Sequence, residues 1–180
     1  MGFIEETGAA QFYRDARILP IYEGTNGIQS NDLVFRKVLR DSGAEAKRFI
    51  GEMKDFLKTF AGKPSDDLDV IQASLTMALG SLEETTGWIL SNAKSNLDAV
   101  AAGAQAYQRQ FSLVAGGYMM AQMAKAAHDS LFSGGDAGFY NTKLITARFF
   151  AEALLPAVHG LSAPIMGGFK AVVHIANDQF

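Results

Sequence analysis

Apolar side chains recur every three or four positions through four long stretches of this sequence, and only four prolines interrupt its 180 residues. That spacing lines the apolar groups along one stripe of an α-helix, whose turn takes 3.6 residues. Good helix formers (Ala, Leu, Met, Glu, Gln and Lys) fill these stretches. An all-α chain follows. Hydrophobic residues make up 48% of it and charged residues 19%, enough for one sizeable packed core.

The first long helix is expected over about 44–61, with Phe49, Ile50, Met53, Phe56, Leu57 and Phe60 on its apolar stripe, stopped by Gly62-Lys63-Pro64. Ser65 is a natural cap for the second, and Asp66, Asp67 and Asp69 suit its positive dipole end. Its buried face is expected to include Ile71, Leu75, Ala78, Leu79, Leu82 and Ile89. Asn96 opens a third, Ala- and Met-rich helix that ends near Ser133-Gly134-Gly135. Gly116-Gly117 within it marks a bend or a close helix contact, and Met119, Met120 and Met123 read as core packing. The fourth spans about 139–158, with Leu144, Ala147, Ala151, Leu154, Leu155 and Val158 in register. Beyond Gly160 the tail is open between a short helix and a strand.

Residues 1–41 differ in character, being dense in mixed polar chemistry. A short helix is expected over 6–16. Pro20 ends it and biases Leu19 towards extended backbone. Helix resumes at Gly27 and runs to about Arg40, capped by Thr25 or Asn26, with Ile28, Leu33, Val34, Val38 and Leu39 as candidate buried positions. The expected architecture is therefore a short helical motif arm, residues 1–41, followed by an antiparallel four-helix bundle, residues 42–180.

A net charge of −3 supplies no basic field for nucleic acid. The absence of cysteine excludes disulfides and cysteine-ligated metal sites and suits a reducing cytoplasm, the expected compartment. No uncharged apolar run reaches the roughly 20 residues that span a bilayer. His128, His159 and His174 lack the i, i+4 pairing of a helical metal site. Glu83-Glu84 are consecutive on a helix and do not share a face.

One carboxylate stands apart. Glu23 follows Ile21 and Tyr22 and precedes Gly24. Partial burial there would raise its pKa and make it a serviceable general base, whereas a solvent-exposed glutamate beside a helix is the plainer reading of the same spacing. Gly24 would allow close approach of a ligand. Arg14, Asp15 and Arg17 suit a local ion-pair cluster that fixes the turn.

The segment Tyr13-Arg14-Asp15-Ala16-Arg17-Ile18, joined to Tyr22-Glu23-Gly24-Thr25-Asn26, resembles the signature near the C-terminal end of acyl-CoA dehydrogenases. The resemblance covers about forty residues, Gly2 to Arg40, and is closest to the branch with an extra C-terminal helical domain. It implies that Glu23 is the base removing the α-proton of an acyl-CoA thioester, with its backbone N–H polarising the thioester carbonyl. It implies contacts to FAD from Thr25, Asn26 and Gly27, and substrate contact at Gly24. Many members carry an arginine where this chain has Phe35, with Arg36 one residue away. The chain begins inside the motif, so a C-terminal fragment, inactive alone and completed by preceding dehydrogenase domains, is expected. An electron-transfer acceptor and a homo-oligomer belong to the same expectation. The non-enzymatic alternative is a helical interaction or oligomerisation domain with a docking arm.

Overall fold

The computed structural model describes residues 4–19, 26–62, 65–173, 175 and 177–179, and every regular element among them is helical. A 3₁₀ turn at Glu5–Thr7 precedes α1 (Ala9–Ile18); α2 (Asn26–Asn31) continues without a break into a π-helical segment, Asp32–Val38. The long helices are α3 (Ala44–Lys58), α4 (Asp66–Asn92), α5 (Leu97–Phe132) and α6 (Ala137–Phe149). A second π segment, Phe150–Leu154, leads from α6 into α7 (Ala157–Gly167), and α8 (Phe169–Val173) follows.

Caps explain where the long helices start. Ser65 Oγ accepts from the Leu68 N–H, Asn96 Oδ1 from Ala99 and Asp136 Oδ1 from Phe139, each satisfying an amide with no intrahelical partner. At α3 the Asp41 carboxylate accepts from the N–H groups of Gly43, Ala44 and Glu45 at 2.9–3.1 Å. Those bonds favour its charged form and hold its pKa below the usual value. Gly43 is favoured by its φ of 79°, and an added Cβ, 2.6 Å from Leu90 Cδ1, would also make that side chain turn aside.

The expected bundle forms from α3, α4, α5 and the α6–α7 segment, running alternately up and down. α4 and α5 make its central hairpin. On one side α3 adds an aromatic layer, with Phe49 against Phe111 (6.1 Å) and Tyr118 (6.0 Å), and Phe56 against Tyr118 (5.3 Å). On the other side α6–α7 lies along α5. There Gly116 and Gly117 face Phe150 and Leu155, and Gly103 faces the backbone of Ile165. The glycine pair is thus a close helix contact. Gln110, fully buried, ties three helices together. Its Oε1 accepts from the Thr85 hydroxyl (2.6 Å), and its Nε2 donates to the Val158 carbonyl (3.0 Å) and Ser162 Oγ (3.2 Å). Nearby, Tyr107 and Thr86 share a buried hydroxyl–hydroxyl bond of 2.9 Å, and burial pushes the Tyr107 phenol up to about 12.

Several expectations need correction. The first helix does not start at Glu6, because Gly8 takes left-handed φ 75° and separates a 3₁₀ turn from α1. Leu19 holds helical angles, φ −57° and ψ −40°, with its N–H bonded to Ala16; the bias imposed by a following proline is a preference that a helix end overrides here. Ile28 is 56% exposed, and Ser30 takes the buried position instead. Leu154 is 44% exposed while Leu155 is buried, since the π segment widens the turn and carries Leu154 off the core face. Helix also continues through Gly160 and Pro164 to Gly167, and the tail forms α8 rather than a strand. Met119 is exposed, whereas Met120 and Met123 pack on the core. Thr25, Lys63, Pro64 and His174 lie outside the described residues.

The continuous stretch Ala137–Gly167 is long and apolar enough to cross a membrane by length and composition alone. Its inner face, including Leu144, Ala147, Ala151, Leu155, Val158 and Ile165, belongs to the bundle core. Arg148 within it pairs with Asp67 of α4 at 2.9 Å.

Candidate functional site

Of the residues singled out by the motif, Asn26 and Gly27 form the first turn of α2, while Glu23, Gly24 and Thr25 lie outside the described residues. What the structure shows is how the element immediately after them is anchored. Val34 and Val38 insert into the bundle core at 0% and 3% exposure, and Leu33, Phe35 and Leu39 pack against it. Ser30, fully buried, faces α5. Its Oγ lies 2.7 Å from the Asn26 carbonyl oxygen and 2.5 Å from Gln108 Oε1. Two acceptors compete there for one hydroxyl proton. If the Gln108 amide turns its NH₂ to Ser30 Oγ, both bonds are made. The start of α2 is therefore fixed to α5 by side-chain chemistry as well as by packing.

Between Asn26, α5 and Leu161 of α7 lies a groove of about 600 Å³. From α5 it takes Gln105, Gln108, Arg109 and Ser112. These stand at i, i+3, i+4 and i+7, one polar stripe on a helix otherwise rich in alanine and methionine. Sequence reasoning missed this stripe and the Ser30–Gln108 link; the four-residue spacing was the available signal. Among the described residues no carboxylate lines the groove, and Arg109, like Arg17 and Arg40, makes no ion pair.

The arm ahead of this site is held locally. Arg14 grips Glu5 with two hydrogen bonds, 2.6 and 3.2 Å, and Gln11 bridges Arg14 and Asp15. Arg14 and Asp15 thus pair with Glu5 and Gln11 rather than with each other. α1 buries only Ala10, and Phe12, Tyr13, Ile18 and Leu19 are exposed. Arg36, 79% exposed, pairs with Asp32 at 3.0 Å. Glu83 pairs with Lys54 on a solvated face. Among the described residues no three His, Cys, Asp or Glu side chains come together as a metal site. His159 Nδ1 meets Ser81 Oγ at 2.8 Å, and His128 packs on Phe132.

Both parts of the chain match known sequence families. Residues 49–176 match the family described as acetyl-CoA dehydrogenase C-terminal like, and residues 1–37 match the acyl-CoA dehydrogenase C-terminal domain. The chain belongs to the acyl-CoA dehydrogenase family. It is 43% identical over 155 residues to 3-methylmercaptopropionyl-CoA dehydrogenase of Ruegeria pomeroyi, covering 86% of this chain and 26% of that protein. It is 30% identical over 162 residues to the broad-specificity linear acyl-CoA dehydrogenase FadE5 of Mycobacterium tuberculosis, covering 86% and 26%. A butyryl-CoA dehydrogenase of Syntrophomonas wolfei is 30% identical over 184 residues, covering 99% of this chain and 30% of that relative. The chain thus spans between a quarter and a third of the length of these acyl-CoA dehydrogenases.

Proposed function

We propose that this chain is the C-terminal portion of an FAD-dependent acyl-CoA dehydrogenase that oxidises an acyl-CoA thioester to the α,β-unsaturated thioester. Residues 1–41 complete the catalytic core, and residues 42–180 form a bundle that packs on the preceding domains or on another subunit. The supporting observation is that Glu23 sits inside a segment, residues 1–37, matching the C-terminal domain of this family, at the motif position of its base.

In this reading the Glu23 carboxylate takes the α-proton and its backbone N–H donates to the thioester carbonyl oxygen. That hydrogen bond strengthens as negative charge moves onto the oxygen. The α C–H electrons form the new double bond as the β-hydrogen leaves with its electron pair. FAD, when bound, supplies the acceptor for that hydride. Thr25, Asn26 and Gly27 would hold it, and Gly24 would border the substrate. The donor set around Asn26 fits such a group, since among the described residues the groove it lines offers amide, hydroxyl and guanidinium donors. An electron-transfer acceptor would reoxidise the flavin, and the 180-residue chain alone is expected to lack activity.

Glu23→Gln in the full-length dehydrogenase tests the assignment. Removing a general base costs about 10²- to 10⁴-fold in turnover, while visible flavin absorbance should persist. Near-normal turnover would reject Glu23 as the base.

A further inference from the structure

We propose that the outer face of the α6–α7 segment pairs with the same face of a second copy of this chain, antiparallel and centred on Ala153. The stretch Ala137–Gly167 is apolar enough to span a membrane, yet only 22% of its apolar 18-residue window is buried in the bundle. Burial recurs at Leu144, Ala147, Ala151, Leu155, Val158 and Ile165, so the opposite stripe points outward. That stripe begins with bulky Ile145 and Phe149, 65% and 62% exposed. It continues through Ala153, Ala157, Gly160 and Ala163, all exposed. The π segment turns Leu154 outward beside its centre. Phe150 lies against Gly116, and exposed Met119, one turn further along α5, extends the patch. A contiguous apolar surface of this kind marks an interaction site.

The stripe is complementary to itself. No charged residue occurs from 153 to 169. In the other half, Arg148 is bonded to Asp67 and Glu152, and Lys143 sits over the Phe139 ring, so these charges are engaged within the chain. A partner turned about a two-fold axis at Ala153 sets Phe149 of one copy opposite Ala157 of the other, and Ile145 opposite Gly160. A Cβ added at Gly160 would meet nothing within 4 Å, so the surface there is open to an incoming side chain. A parallel pair would instead set Phe149 against Phe149 and leave the small half unfilled. A second copy is the occupant that carries this matched order of bulky and small groups. From 142 to 164 the overlap runs about 33 Å, and a helix about 10 Å wide gives a footprint of roughly 330 Å² per copy. That lies below the roughly 800 Å² per partner of a standard interface. The 180-residue chain should therefore pair weakly, with a dissociation constant on the order of 10 µM or above.

Because the chain has no cysteine, disulfide trapping reads the register directly. A disulfide needs Cα atoms within about 7 Å. Ala153→Cys, on the two-fold axis, should cross-link to its own copy under oxidised glutathione. Gly160→Cys should not, since the two copies of position 160 stand about 21 Å apart along the helix axis. Sedimentation velocity of the wild-type chain over roughly 5–500 µM should show a monomer–dimer equilibrium. Phe149→Glu, at an exposed position, should weaken it about tenfold or more with unchanged circular dichroism, and so should Ala157→Phe, which fills the receiving site. A wild-type chain that stays monomeric throughout that range overturns the proposal, as does cross-linking at position 160 equal to that at 153. Flotation of the monomer with phosphatidylcholine vesicles would assign the face to lipid. Shielding of Ala153→Cys from a thiol reagent in a monomeric full-length dehydrogenase would assign it to the preceding domains; either result overturns the pairing. Turnover of Glu23→Gln has no bearing on self-association of the 180-residue chain, so the base and the pairing stand or fall separately.

Discussion

Gly103→Ala isolates the closest helix contact in the bundle. A Cβ at position 103 would stand 2.7 Å from the Ile165 carbonyl oxygen, 3.1 Å from its Cα and 3.3 Å from its carbonyl carbon. Contacts of carbon with heavy atoms are comfortable at about 3.5–4.0 Å, so α7 must back away by several tenths of an ångström. The obstacle is backbone, and no rotamer change relieves it. Withdrawal also loosens the packing around Ile165, Val100 and Ala104, all at most 1% exposed. Gly80→Ala in α4 is the matched control, because a Cβ there meets nothing within 4 Å. Both substitutions gain the same helix propensity, roughly 1 kcal/mol. The difference between them therefore reports the clash, about 1–3 kcal/mol for an overpacked site. At about 2–4 °C per kcal/mol for a chain of this size, their melting temperatures should differ by roughly 2–12 °C. Thermal unfolding followed by circular dichroism, with urea titration as the second measure, reads the gap. A Gly103→Ala protein melting at or above Gly80→Ala would refute the close approach of α5 and α7.

Three further outcomes follow from buried or capping groups. Tyr107 has its phenol raised from 10 to about 12 by burial, so the fold holds the neutral form: stability is level below pH 10 and falls between pH 10 and 12. That loss is on the order of 3 kcal/mol at 1.36 kcal/mol per unit, and urea unfolding of Tyr107→Phe should show a correspondingly shallower alkaline decline than wild type. Gln110→Ala leaves a cavity and strips a partner from Thr85, so urea midpoints should report about 2–4 kcal/mol of destabilisation. Asp41→Asn should lower the melting temperature at neutral pH. The Asp41 carboxyl has a depressed pKa, so its contribution exists above the unfolded value of 3.8 and disappears as pH falls through the folded one; melting curves of the two proteins should converge on acidification.

The parts of the fold legible in the sequence are those where one local signal suffices. Ser65 and Asn96 announce helix starts because a short polar side chain can satisfy an orphan amide three residues on. The apolar stripe of α4 emerges buried at Ile71, Leu75, Ala78, Leu79, Leu82 and Ile89 because α4 keeps regular 3.6-residue turns throughout. The second π segment defeats the same logic. It adds a residue to its turn, so Leu154, in register on an ideal helix, leaves the core face. Nothing in the identity of Asp32–Val38 or Phe150–Leu154 distinguishes a π turn from an α turn.

The site divides along the same line. Asn26 and Gly27 were found through a contiguous motif, whereas Ser30, Gln108 and Arg109 depend on α2 meeting α5 some eighty positions away. A serine and a glutamine carry no signal of that meeting in one sequence. Yet their contact has a mechanical consequence. Ser30 is one turn from Asn26 and fully buried, so moving the bundle relative to the arm would require breaking the Ser30–Gln108 contact away from water, a cost of about 1–3 kcal/mol for a group left unsatisfied. The arm that follows Glu23 and the bundle are accordingly one structural unit. If Glu23 is the base, a substitution at Gln108 should disturb its placement without touching the reacting atoms. In the full-length dehydrogenase, Gln108→Leu should therefore lower turnover while leaving the pH at which the base titrates tied to Glu23. An unaltered rate, with the variant folded, would show that packing of Val34 and Val38 alone holds the arm in place.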